Sequence, residues 1–170
     1  MTLTNHEFWN VLHGMVLGGV FLLAFAGGFE ALYSLRPEAV SGRGIRDRVG
    51  RMKVGVVAMA IAAWGTVLTG TWVVYPWYRE EVATSPKSAL LSSPSTAGWH
   101  TFGMEWKEHL AWMSPILATV VAFVVVYYGT SLAKHDRIRK TVIMLFALAF
   151  LFAIIAGALG ALINKASSAI

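Results

Sequence analysis

Apolar residues run along this chain in four long blocks, at about 8–35, 53–78, 103–132 and 139–163, separated by shorter polar stretches. Roughly 20 apolar residues are enough for a helix to cross a ~30 Å hydrocarbon core, and none of the blocks alternates with the two-residue period of a half-buried strand. The pattern predicts four membrane-spanning helices. They use up most of the sequence, so residues 1–170 read as a single all-α transmembrane domain.

The polar punctuation sharpens these elements. Thr4 and Asn5, followed by Glu7, supply a helix N-cap, with Phe8 and Trp9 as interfacial anchors. The second block ends in Trp72, Tyr75, Trp77 and Tyr78 around Pro76, an aromatic belt. Residues 79–100 are rich in Ser, Pro and Thr without periodicity, which predicts an irregular loop placed to act as a lid. Pro115 is expected to kink the third helix near its entry into the membrane.

Composition agrees with a polytopic membrane protein: 56% hydrophobic and only 14% charged residues, with a mean hydropathy of +0.61. No Lys or Arg precedes the first block, so it reads as a retained helix and not a cleavable signal. The pI near 9.7 would suit nucleic acid, but the charge pattern argues otherwise. Ten of the 14 basic residues fall in two stretches, Arg36 to Lys53 and Lys134 to Lys140. By the positive-inside rule these loops, 36–53 and 133–140, are cytoplasmic. The expected topology is therefore an up-down-up-down four-helix bundle with both termini on the outer, extracytoplasmic side, in a bacterial inner membrane. The lipid bilayer is then a partner and nucleic acid is not.

The chain contains no cysteine, which excludes disulfides, iron–sulfur ligation by thiolates and covalent c-type haem attachment. Histidines carry the remaining chemistry. His13 precedes Leu35 by 22 residues and His109 precedes Lys134 by 25, or ~33 and ~37 Å along a helix. Helices 1 and 3 run the same way and lie diagonally in such a bundle. Both imidazoles thus sit at matching depth near the outer face, where ionisable groups normally serve a partner or cofactor. Gly14 and Gly18 follow His13, and either pack a neighbouring helix or leave room for a flat ligand. Trp106, His109, Trp112 and Met113 are read as one helical stripe.

This arrangement, the four spans with His13 beside Gly14 and Gly18 and His109 among tryptophans, resembles the small four-helix b-type membrane cytochromes. The resemblance implies a non-covalent haem b with His13 and His109 as axial ligands, Gly14 and Gly18 making room, and Trp106 and Trp112 packing nearby. It implies electron transfer near the outer face, with quinol as donor, a quinone as further cofactor, and other membrane or extracytoplasmic redox subunits as partners. The chain is then an electron-transfer protein or redox-complex subunit more than a stand-alone enzyme. The fourth block carries no histidine.

Two other readings stand beside it: a non-catalytic membrane subunit of a larger complex, and a bare-metal iron or copper oxidase. The oxidase would use His13, Glu105 and His109, joined by His6 or His100. His6 and His100 are also the ligands available to a second haem. Met104 and Met113 flank His109 but read first as packing, and Glu105, Lys107 and Glu108 as the solvated start of helix 3. Glu30, the other charge at membrane depth, is expected to pair with Arg36 or the Arg51–Lys53 cluster, ahead of a role in proton transfer or quinone binding.

Overall fold

Helix α1 opens with a capping box: the Thr4 hydroxyl accepts from the Glu7 amide, and the Glu7 carboxylate accepts from the Thr4 amide at 2.8 Å. From there a computed structural model describes residues 3–35 and 42–168, and every regular element among them is helical. Four helices are long and apolar enough to cross a membrane: α1 (Asn5–Tyr33), α2 (Gly44–Tyr78), α3 (Pro94–Lys134) and α4 (Asp136–Ser167). Their outward side chains are large and apolar, with Leu23 78%, Met15 73%, Val54 70% and Phe123 68% exposed. Water would not tolerate such a surface. The chain is an integral membrane protein in contact with lipid.

Packing differs between the two ends of the helices. At the end carrying the basic residues, Leu32, Leu35, Met52, Val56, Met59, Val121, Val125 and Phe146 are fully buried in one cluster. There α1 and α2 meet backbone to backbone: a Cβ added at Gly55 would stand 3.1 Å from both N and Cα of Gly28. Close approach through glycines is how membrane helices gain contact without a hydrophobic drive. Phe25 stacks on Phe150 at 3.9 Å, tying α1 to α4. The buried Arg139 of α4 donates to the Leu35 carbonyl and to Asp136, so the end of α1 rests on the start of α4. Trp64 of α2 donates to Thr119 of α3 at 2.9 Å.

At the opposite end, a smaller cluster of Tyr78, Leu90, Met104 and Ile163 closes the helices. Between the two clusters the buried or half-buried positions include Thr66, Val67, Ser114 and Ala156.

Three boundaries differ from those expected. The basic stretch is not a loop from 42 onward; it is helix. Its basic residues sit on a helical period whose other face holds Val49, Met52 and Val56, all buried, while residues 36–41 lie outside the described part. Residues 79–100 are not irregular throughout. They contain the short helices Pro86–Leu91 and Pro94–Gly98, each with a serine N-cap followed by proline at the first position. The 133–140 loop reduces to a single break. A 3-10 turn spans Gly129–Lys134, entered at Gly129 with φ +51°, and α4 begins at Asp136. Pro115 lies within the continuous helical stretch Glu105–Tyr128.

Candidate functional site

The end opposite the basic residues gathers the candidate histidines, and the backbone there is unusual. π-helical segments occur in three helices at this end: Val11–Val16 in α1, Gly70–Val74 in α2 and Trp99–Met104 in α3. Such insertions re-aim side chains and recur at functional sites. His13 lies in the first segment, Gly70 in the second and His100 in the third.

His13 is half-buried against α2. Its Nδ1 lies 3.1 Å from the Thr69 hydroxyl oxygen. That hydroxyl donates its own hydrogen to the Gly65 carbonyl at 2.7 Å, so it accepts from His13 and the imidazole is the Nδ1–H tautomer. The ring is seated on Gly70, where an added Cβ would stand 2.8 Å from His13 Cε1. His109 is exposed on α3, and its Nδ1 donates to the Glu105 carbonyl at 2.7 Å. Both rings therefore have Nδ1 on a fixed partner, which sets the orientation of each imidazole.

The two rings face different sides. His13 points to α2, whereas His109 shares an exposed stripe with Phe102, Trp106 and Met113. Trp112 does not belong to that stripe: six residues at ~100° each turn it a third of a circle away from Trp106. It packs edge-on against Trp64 of α2, with ring centroids 6.1 Å apart. His6 stacks on Trp77 at 5.4 Å, and His100 Nδ1 meets the Tyr78 hydroxyl at 2.8 Å. Helix α2 thus supplies a partner to His6, His13 and His100. Gly14 and Gly18 pack no neighbouring helix, since a Cβ at either meets nothing within 4 Å.

Lys107 and Glu108 are not simply solvated. Lys107 is in phase with the buried Ser114, Ala118, Val121 and Val125, and its stem lies 3.3 Å from a Cβ placed on Gly160 of α4. It acts electrostatically on His13, and Glu108 in turn on Lys107, Tyr75, Tyr78 and His100. Glu108 Oε1 and Ser114 Oγ are buried without a hydrogen-bond partner. Arg79 donates to the Tyr75 hydroxyl at 2.6 Å. Glu105 stays exposed, as the solvated reading expects. The in-phase spacing of Lys107 with small inward residues was the available signal for its burial.

Among the described residues no group of three or more His, Asp or Glu side chains is arranged to hold a metal ion. The donor set for an independent metal centre of His13, Glu105 and His109 is thus not assembled. The residues fit a haem in part: each imidazole has Nδ1 on a fixed partner and glycines lie open beside His13, but the two rings face different sides and are not brought together. Against known proteins, the chain matches no family model, no curated protein and no solved structure.

Removing the Thr69 hydroxyl checks the tautomer assignment directly. In Thr69→Val the His13 Nδ1–H loses its acceptor, at a cost of about 1 kcal/mol. The imidazole 15N shifts of His13 should move toward a tautomer mixture while those of His109 stay unchanged.

Proposed function

We propose that this protein is a haem-b-bearing membrane subunit that passes electrons near its outer face, with His13 and His109 as the side chains that would hold the haem. The observation that carries this reading is that each of the two imidazoles is held at Nδ1 by a fixed partner. In this reading the bundle runs up-down-up-down, the basic end is cytoplasmic and the histidine end extracytoplasmic, as the charge bias favours.

A haem held non-covalently by these imidazoles would supply one-electron, outer-sphere transfer. The chain's own residues do the rest. Thr69 and the Glu105 carbonyl fix the ligand tautomers; Gly70 seats His13; Gly14 and Gly18 leave the ring an open side; Lys107 supplies positive charge for the haem carboxylates. The outward aspect of His109, with Trp106 beside it, favours a subunit of a larger redox complex over a free-standing cytochrome. A quinol is the donor that suits this depth, and an extracytoplasmic subunit the acceptor.

The visible spectrum of the purified protein tests the proposal. A sharp reduced α-band with a shifted Soret peak is expected. A colourless protein would leave the non-catalytic membrane subunit as the remaining reading.

The glycines give a second check. Gly18→Leu places its side chain in open space, so the helical content and stability of the haem-free protein should change by less than about 0.5 kcal/mol. Haem content should nevertheless fall severalfold. Equal haem in Gly18→Leu and wild type would remove the glycines from the reading.

A further inference from the structure

At the basic end, far from the histidines, a groove of ≈ 270 Å³ opens to the outside between α1 and α2. Leu23, Gly27 and Val54 line its apolar part, and Glu30, Arg48 and Arg51 its polar part. The glycine crossing of Gly28 and Gly55 brings the two backbones together beneath it. Gly27 has nothing within 4 Å of a Cβ position, which keeps the groove open on the α1 side.

Its charges are not used within the described part of the chain. Glu30 makes no ion pair with Arg51 or Lys53; the ion pairs among the described residues are Asp136 with Arg139 and with Lys140. The expected pairing with the Arg51–Lys53 cluster is therefore corrected, and Arg36 lies outside the described residues. The carboxylate and the guanidiniums instead stand on opposite helices across the groove. Glu30 lies five residues before Leu35, or ~7.5 Å along the axis, which suits the level of lipid headgroups.

We propose that this groove is a binding site for a zwitterionic aminophospholipid of the phosphatidylethanolamine type. Arg48 and Arg51 take the phosphate, whose oxygens suit guanidinium geometry. Glu30 takes the ammonium, and an acyl chain lies along Leu23, Gly27 and Val54. Charge complementarity selects a zwitterionic headgroup, and the N–H donors of an ammonium, which a quaternary choline lacks, select the ethanolamine type for the Glu30 carboxylate. An anionic headgroup without an ammonium would meet the Glu30 carboxylate unfavourably, and a neutral quinone would leave three charges unmatched at the membrane interface. The site is independent of haem.

Native mass spectrometry of the full-length protein, released from detergent with equal amounts of phosphatidylethanolamine, phosphatidylglycerol and phosphatidylcholine, tests it. The wild type should retain phosphatidylethanolamine about tenfold over the other two, the ratio one charge-assisted contact supports. Arg48→Gln/Arg51→Gln should lose retention of all three. Glu30→Gln should keep binding lipid but lose the preference over phosphatidylglycerol, with helicity by circular dichroism equal to wild type in both variants. Equal retention of the three lipids by the wild type would overturn the proposal. So would a preference for phosphatidylglycerol, an unaltered preference in Glu30→Gln, or displacement of the lipid by a stoichiometric quinone.

Discussion

Gly55→Leu is expected to separate α1 from α2 and to leave the protein unable to hold its native packing in mild detergent. A Cβ at Gly55 would lie 3.1 Å from Gly28 N and Cα and 3.3 Å from the Ala24 carbonyl oxygen. These neighbours are backbone, so no rotamer change makes room. The helices must move apart, and the fully buried Leu32, Met52 and Val56 lose contact with them. Overpacking in a well-filled core commonly costs 1–3 kcal/mol. Here loss of close helix contact adds to it, so about 3 kcal/mol or more is expected. Denaturation in mixed micelles with increasing dodecyl sulfate would show the midpoint shift. Gly14→Leu, whose side chain meets nothing in the chain, should keep the wild-type midpoint in the haem-free protein. If Gly55→Leu unfolds with the wild-type midpoint, the glycine crossing does not hold α1 and α2 together.

Gly70→Ala is expected to unseat His13 while leaving the fold intact. The new methyl would stand 2.8 Å from His13 Cε1 and 3.5 Å from Nδ1, and the ring cannot yield without breaking its hydrogen bond to Thr69. Disturbing the group that orients a ligand commonly costs 10–100-fold in metal affinity, so haem retention should fall by about that factor. The effect is separable from damage to the fold: the His13 15N resonances should shift, with helicity and the dodecyl sulfate midpoint within about 1 kcal/mol of wild type. If Gly70→Ala keeps both haem and the His13 resonances, His13 does not depend on this seat.

The four spans were legible because each block runs for more than 20 predominantly apolar residues, the length a membrane crossing needs. The ends of the spans were less so. Arg46, Arg48 and Arg51 read as loop because charge masked the buried period of Val49, Met52 and Val56. Ser85-Pro86 and Ser93-Pro94 read as loop punctuation, although serine before proline is equally a helix start. At the candidate site, the sequence singled out His13 and His109, which the structure places at the same end of the helices but on different sides. It did not reveal that Thr69 and Gly70 receive His13, because periodicity specifies a residue's face and not the residue opposite. Lys107 was readable in principle from its phase with Ser114, Ala118 and Val121. The stripe through His109 was drawn too wide when it included Trp112, which turns to Trp64.

On the proposed function, two imidazoles hold one non-covalent haem b per chain. Quantifying haem as the pyridine haemochrome in wild type, His13→Ala and His109→Ala, each normalised to folded protein, tests it most directly. The account predicts close to one haem per chain in the wild type and a large loss in each variant. Full haem content in both alanine variants, or none in the wild type, would contradict it.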